Sequence, residues 1–167
     1  MTFFKHFIVA GAIGLAAVQA VAALGQAPLV AKAGVDTNGA KPQATAALKS
    51  VVSTPVPGGL YTTHQLTLVS GTVVMEYANS SSIVFAVTWV GPVLPDLTAL
   101  LGDYFPTFKA QTDRRRAAGR RGGTVQVDAD GLTVVSAGRM GHFSGYAYSA
   151  SLVPSGVDVA TVLKDAP

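Results

Sequence analysis

The sequence predicts an α+β protein: a mostly antiparallel sheet, in the order βββ-α-βββ, with one main helix packed on a face. Two groups of strand-like segments, each broken by short turns, lie on either side of one helical segment. The strand-like segments alternate apolar and polar residues, whereas the helical segment repeats apolar residues every three or four positions. Because strands and helix are segregated along the chain, the pattern favours α+β over alternating α/β.

The first three strands are predicted between residues 61 and 90, with turns at residues 70–71 and 79–82. Short turns between successive strands are typical of an antiparallel meander. Residues 83–90 are apolar on both faces except at Thr88, which indicates a central strand covered on both sides. We therefore expect Trp89 to lie in the core.

The main helix is predicted to begin at Pro95 and Asp96, because proline and an acid favour the first turn of a helix. Its apolar stripe consists of Leu97, Leu100, Leu101, Tyr104, Phe105 and Phe108. Pro106 is expected to kink or stop the helix, since proline disrupts a helix interior. A further turn or two would then continue as far as Ala118.

The second group of strands is predicted at residues 124–128, 132–136 and 142–149. The pair Asp130-Gly131 favours a tight hairpin between the first two of them. Val157 to Leu163 has the length of a short terminal helix.

The first 22 residues have the pattern of a secretory signal peptide. Lys5 precedes the apolar run of residues 8–18, and Ala20 and Ala22 provide the small residues that a signal peptidase recognises. Cleavage is therefore expected before Ala23, leaving a periplasmic or secreted protein that is not an integral membrane protein. In the alternative, residues 7–24 remain as an uncleaved anchor, although the apolar run is short for a membrane span.

The remaining chain divides by composition into three parts. Residues 23–59 are rich in proline and glycine and contain no aromatic residue from 25 to 59, which predicts an extended or disordered linker. Residues 60–154 form the predicted single domain. Residues 155–167 form a tail that contains the possible short helix.

Basic residues are concentrated in one segment. Six of the 12 lysines and arginines lie between Lys109 and Arg121, with Asp113 as the only acid among them. The arginines of this run are Arg114, Arg115, Arg116, Arg120 and Arg121. Arginine binds phosphate groups bidentately, so the run is a candidate anion-binding site for a lipid head group or polyanion. The alternative is a solvated helix end, where the helix dipole favours cations. Nucleic acid is not an expected partner, because the run has no interleaved aromatic residues.

Residues suited to catalysis or metal binding are few. The chain has no cysteine, which excludes disulfides and thiolate sites. After the signal peptide only His64 and His142 remain, without ligand spacing between them, although Glu76 is expected on the strand beside His64. His142 and Ser144 share a face of one strand, too far apart for a direct hydrogen bond. We therefore predict no metal, no cofactor and no enzymatic activity, with an envelope hydrolase as the disfavoured alternative.

Four tyrosines lie on predicted strands: Tyr61, Tyr77, Tyr146 and Tyr148. Aromatic residues on strands usually fill a core. If several of these were exposed together, they would mark a face for a partner or a saccharide.

A distinctive set of short segments follows along the chain: Ala22–Gly25, Tyr61–Thr62, Gly71–Tyr77, Val84–Trp89, Gly91–Pro92, Pro95–Leu97, Leu100–Phe105, Met140–Gly145 and Pro154–Val157. In this order, they resemble the domain-of-unknown-function family 2844 of exported Gram-negative bacterial proteins. The resemblance implies export and brings no activity with it. Together with the residues, it favours a non-enzymatic binding or structural module of the envelope.

Overall fold

The computed structural model describes residues 24–28, 48–56, 58–120 and 122–164. Within them, seven strands form one sheet in the order β1-β2-β3-β4-β7-β6-β5, and every neighbouring pair is antiparallel. The strands are β1 (Leu48–Pro55), β2 (Tyr61–Leu68), β3 (Val73–Asn79), β4 (Val84–Gly91), β5 (Val125–Ala129), β6 (Leu132–Arg139) and β7 (His142–Ser149). The helices are α1 (Leu97–Leu101), α2 (Phe105–Ala117) and α3 (Val159–Lys164), with 3-10 turns at Gly102–Tyr104 and Ala150–Leu152. The predicted signal peptide, residues 1–22, lies outside the described residues.

The predicted fold class is confirmed: three strands, a helical segment and three strands follow one another from β2 to β7. The structure adds β1, which pairs with β2 along the edge of the sheet in the segment predicted to be a linker. An edge strand needs only one neighbour and little buried surface, and Pro55 stands at its last position, where a missing N–H is tolerated. The prolines and the absence of aromatic residues in this segment therefore explain why the strand was not predicted. The sheet begins before Leu60.

The helical segment is interrupted where the sequence gives physical reasons for it. The Asp96 carboxylate caps α1 by accepting hydrogen bonds from the N–H groups of Thr98 and Ala99, at 2.9 and 3.4 Å. The 3-10 turn separates α1 from α2, and Pro106 falls in the first turn of α2, where its missing N–H costs no hydrogen bond. The helical segment from 97 to 117 is thus two helices joined at residues 102–104.

One face of the sheet, the helical face, packs against α1 and α2. Its buried core contains Leu24, Leu66, Val74, Val84, Val87, Trp89, Leu100, Leu101, Phe108, Val127, Leu132, Val134 and Ala147. Trp89 is 2% exposed, which confirms the expectation that it fills the core.

The opposite face, the tyrosine face, is covered in part by the C-terminal segment. Tyr77, Phe85 and Ala86 from the sheet form a second buried cluster with Val162 from α3. The predicted short helix of the tail is present as α3, and its apolar side completes this cluster.

A short N-terminal segment is also part of the core, although the sequence placed it in the linker. Leu24 is 1% exposed, and its N–H donates to the carbonyl oxygen of Leu100 at 3.0 Å. The N–H of Gly25 donates to the carbonyl of Val84 at 2.8 Å, and the N–H of Val84 donates to the carbonyl of Gln26 at 2.9 Å. Residues 24–26 therefore continue the hydrogen bonding at the start of β4. For these residues and for β1, the prediction of an extended or disordered linker is corrected.

The antiparallel order places the loops at two ends of the sheet. One end, the Met140 end, contains the β2–β3 turn (69–72), the loop after β4 (92–96) and the β6–β7 turn (140–141). The other, the Asp130 end, contains the β1–β2, β3–β4 and β5–β6 turns. The β5–β6 turn has the predicted tight geometry, with positive φ at Asp130 (55°) and Gly131 (74°).

Candidate functional site

The predicted arginine cluster lies at the C-terminal end of α2 and in the loop that follows. Arg114, Arg115 and Arg116 occupy the last turn, Arg120 is exposed in the loop, and Arg121 lies outside the described residues. The helix begins beside β7 at the Asp130 end, where the Tyr104 hydroxyl lies 3.0 Å from the Ser149 hydroxyl. It therefore runs away from the Asp130 end, toward the half of the sheet that contains the Met140 end, and Arg115 contacts Thr124 just before β5.

Two of the arginines have partners within the protein. The guanidinium of Arg115 donates to the carbonyl oxygen of Thr124 at 3.1 Å, which ties the helix end to the start of β5. Asp113 lies 2.6 Å from Lys109 Nζ and 3.7 Å from the Arg116 guanidinium. The hydrogen bond from Lys109 lowers the pKa of Asp113, so this carboxylate stays ionised and is already shared.

The other two described arginines are exposed without an acidic partner. Across residues 24–28, 48–56, 58–120 and 122–164, no ion pair includes Arg114 or Arg120. These side chains are therefore accessible to an external anion, with the geometry to bind phosphate oxygens bidentately. Arg114 and Arg120 thus lie on an exposed surface of the described part of the chain.

The four tyrosines, on β2, β3 and β7, all lie on the tyrosine face, as the register between these strands and β4 requires. Tyr77 is 3% exposed and packs against Tyr61 and Phe85, with ring centroids 6.2 and 6.3 Å away. It is a core residue, so the prediction of a partner face is corrected at this position. Tyr61, Tyr146 and Tyr148 are half-buried, so each exposes part of its side chain.

A cavity of about 230 Å³ lies beside Tyr146, between the sheet and α3. Its lining is uncharged: Thr88, Trp89, Val135, Ala137, Ser144, Gly145, Tyr146 and Leu163. The Thr88 hydroxyl is buried on this face without a hydrogen-bond partner among the described residues. The Trp89 indole N–H also lacks one, but its ring lies on the helical face, in the core. A molecule that filled this cavity would have to be small and neutral.

The two histidines do not meet. His142 opens β7 opposite Arg139 at the Met140 end, whereas His64 lies in the middle of β2, opposite Glu76 on β3. The prediction that Glu76 neighbours His64 is thus confirmed. Within the described residues no group of three or more His, Asp or Glu side chains could hold a metal ion.

His64 has a partner that the sequence did not indicate. The Ser53 hydroxyl on β1 lies 2.9 Å from His64 Nδ1, and the two residues are cross-strand neighbours. Burial lowers the pKa of His64, which favours the neutral ring. Ser53 was missed because its segment was predicted to lie outside the domain.

The Met140 end also concentrates exposed apolar side chains, which sequence reasoning missed. Of the six large hydrophobic side chains that are exposed among the described residues, Val69, Val93, Leu94 and Met140 lie at this end. They lie in three separate turns, Val93 and Leu94 side by side in one of them, where apolar residues show no periodicity. Only the strand order therefore reveals that these turns are neighbours.

The fold defines an α+β protein in which one antiparallel sheet is packed by helices on both faces. The family model described as "Protein of unknown function (DUF2844)" matches residues 20–162, and the chain belongs to this family. This confirms the resemblance seen in the sequence. No curated protein and no solved structure matches the chain. None of the helices in the described residues has the length and apolar character that a membrane span requires.

Proposed function

We propose that this chain is an exported, non-enzymatic envelope protein that binds an anionic surface through the arginine cluster. One observation supports this function best: among the described residues, Arg114 and Arg120 are exposed and in no ion pair, while the only acid in the run, Asp113, is already shared by Lys109 and Arg116. Little intramolecular neutralisation therefore competes with an external anion.

The expected ligand chemistry is phosphate displayed on a surface. A cation near an anionic lipid surface contributes about 1 kcal/mol to binding, so three arginines together contribute about 3 kcal/mol. That sum corresponds to roughly a hundredfold in affinity. Because the cations are exposed, the attraction should weaken as salt shortens the screening length from about 8 Å at physiological ionic strength.

The decisive variant replaces Arg114, Arg116 and Arg120 with Gln. Arg115 is left in place, because its bond to Thr124 holds the loop. Sedimentation with vesicles rich in phosphatidylglycerol should show a loss of about a hundredfold, which follows from about 1 kcal/mol per cation. A charge-retaining control with Lys at the same positions should keep most of the binding. Equal pelleting of wild type and the Gln variant, with both folded, would refute the proposal.

Export is tested separately by the N-terminus of the processed protein. The signal-peptide pattern predicts that the mature chain begins at Ala23, since Ala20 and Ala22 stand three and one residues before that cut. N-terminal sequencing of a periplasmic extract should find Ala23 first. A full-length chain retained in membranes would support the uncleaved anchor instead.

The non-enzymatic part of the proposal rests on the roles that the candidate groups already have. The Ser53 hydroxyl is bonded to His64 on an edge strand, and the sequence provides no elbow motif or phosphate loop around it. A fluorophosphonate probe, which labels activated serines, should leave the protein unmodified. Labelling at Ser53 that disappears in His64→Gln would contradict this and point to a hydrolase.

A second candidate function, binding a small neutral molecule, is favoured by the cavity beside Tyr146. The cavity is lined by the uncharged side chains of Tyr146, Ser144 and Thr88, which suit a neutral ligand. Isothermal titration calorimetry with neutral monosaccharides should detect binding, and the binding should be lost in Tyr146→Leu. The absence of binding heat at high millimolar sugar would remove this candidate.

A further inference from the structure

The Met140 end combines exposed apolar side chains with cations. Met140 is 99% exposed, Val69 68%, Val93 51% and Leu94 40%. Protein surfaces rarely group large apolar side chains in this way unless something covers them. The remaining exposed residues of this type, Val52 and Leu60, lie on the edge strand and at the opposite end of the sheet.

These four side chains belong to neighbouring loops. The Thr72 hydroxyl donates to the carbonyl oxygen of Val93 at 2.6 Å, which fixes the β2–β3 turn against the loop after β4. A β-carbon added at Gly71 would come within 3.7 Å of Pro92 Cγ, so Gly71 and Pro92 lie side by side. The β6–β7 turn with Met140 follows directly, because β7 is the next strand after β4 in the sheet.

Basic and acidic side chains are also distributed unequally between the Met140 end and the Asp130 end of the sheet. Arg139 flanks Met140, and Arg120 lies in the loop before β5, which starts opposite Ser136, midway between the two ends of β6. The acids Asp128 and Asp130 lie at the opposite end, in and beside the β5–β6 turn. Asp103 is also there, in the 3-10 turn whose Tyr104 is bonded to Ser149.

Two of the acids in the described residues lie on the side of the Met140 end, and both are engaged. Asp96, two residues after Leu94, caps α1, and Asp113 is shared by Lys109 and Arg116. An anionic surface would therefore attract the Met140 end and repel the other, and this difference sets an orientation.

We propose that the Met140 end docks on an anionic phospholipid bilayer, with the side chains of Val69, Val93, Leu94 and Met140 entering the boundary between head groups and acyl chains. This rests on the proposed function and specifies its partner: a soluble polyanion offers charge alone, whereas a bilayer offers phosphate and an apolar phase together. The four side chains fit the apolar phase, and Arg114, Arg120 and Arg139 fit the head groups around it.

The test compares two binding partners and two kinds of variant. The partners are vesicles of phosphatidylglycerol and phosphatidylcholine, and soluble polyphosphate as the charge-only probe. The apolar variant is Met140→Ser with Val93→Ser, and the cationic variant is the Gln replacement of Arg114, Arg116 and Arg120. Leu60→Ser, which removes a 46% exposed leucine at the Asp130 end, is the matched control. All of the changed side chains are exposed, so thermal melting should confirm that each variant folds.

Each serine should weaken vesicle binding about tenfold, because a methionine or valine side chain would no longer leave water on docking. Polyphosphate binding should stay unchanged in the apolar variant and fall in the cationic variant. Leu60→Ser should bind both partners as wild type does. A fraction of wild-type vesicle binding should also persist at high salt, since apolar contacts are not screened.

Different results would refute the docking of the Met140 end on a bilayer and the binding of an anionic surface by the arginine cluster. If the apolar variant binds vesicles like wild type while the cationic variant does not, docking of the apolar end is refuted and anionic-surface binding stands. If wild type binds polyphosphate but not vesicles, the bilayer is refuted as the partner. If both variants behave as wild type on both partners, the proposed function itself is refuted. If wild type is a dimer that Met140→Ser dissociates, the occupant of this end is a second copy, and bilayer docking is overturned.

Discussion

Trp89 and Gly145 form a pair whose disruption should be among the most costly in the protein. They are direct cross-strand partners on β4 and β7, and the indole lies over the glycine. A β-carbon at Gly145 would overlap Trp89 Cζ2 and the carbonyl oxygen of Val135, and would stand 2.7 Å from Trp89 Cε2. Gly145→Ala should therefore force either the ring or the β6–β7 pairing to move.

The two substitutions should lower the unfolding free energy by different amounts, because one leaves a cavity and the other overpacks the same place. Trp89→Ala leaves a large cavity on the central strand and should cost about 3–5 kcal/mol of unfolding free energy. Gly145→Ala overpacks the same place and should cost about 1–3 kcal/mol. In the double variant the new methyl group enters the space left by the ring, so the two costs should not add. Rescue should be partial, because the Val135 carbonyl remains in the way.

The unfolding free energies of wild type, the two single variants and the double variant are measured by urea unfolding monitored by circular dichroism. Ser144→Ala, one residue earlier on β7 and half-buried, is the control for a small change nearby. The reasoning would be refuted if Trp89→Ala left the midpoint unchanged, or if the two single costs added fully in the double variant.

Two further expectations concern pH and domain limits. Burial lowers the pKa of His64, so the folded state favours the neutral ring; its contribution to stability is complete above the unfolded value of about 6.5 and is lost as pH falls below it. The melting temperature of His64→Gln should therefore depend less on pH, between about pH 7 and 5, than that of wild type. An unchanged pH dependence would assign the effect to other groups. Because β1 pairs with β2, limited proteolysis should leave a fragment that begins before Leu48, and a fragment beginning at Leu60 would show that β1 is not held.

The sequence was informative where local chemistry and periodicity agree. The alternation of β2 to β4 and the turn at Asp130-Gly131 specify strands and hairpins without knowledge of the rest of the chain. Asp96 marks a helix start for the same reason, since it affects only its own turn of backbone. These features are determined within a few residues, so they can be predicted from one sequence. Pro106 is expected to kink or stop the helix; the break is there, but Pro106 lies in the first turn of α2, which continues to Ala117.

What the sequence could not show depends on contacts between distant segments. β1 has little apolar character, and its hydrogen bonds come from β2 rather than from its own pattern. The apolar group at the Met140 end joins Val69, Val93 and Met140, which lie more than twenty residues apart and become neighbours only through the order β2-β3-β4-β7. Likewise, the bond between Ser53 and His64 follows from a strand pairing that no motif indicates.

Leu24 links the predicted cleavage site to the stability of the domain. The predicted cut before Ala23 leaves Leu24 with the domain, where its side chain is 1% exposed among core residues such as Leu100 and Leu101. Leu24→Ala should cost about 2–5 kcal/mol, as is usual for a buried leucine. A chain that begins at Ala27 should lose more, because it also removes the backbone partners of Leu100 and Val84, each worth about 0.5–1.5 kcal/mol.

Gln26→Ala keeps those backbone bonds and should change stability little, which makes it the matched control for Leu24→Ala. Urea midpoints of the three variants, each compared with a chain that begins at Ala23, decide the matter. If the chain beginning at Ala27 unfolded at the same urea concentration as the chain beginning at Ala23, Leu24 would contribute nothing to the core. The expected loss instead means that cleavage a few residues further along would remove part of the fold, so the position of the cut is constrained by packing as well as by the small residues before it.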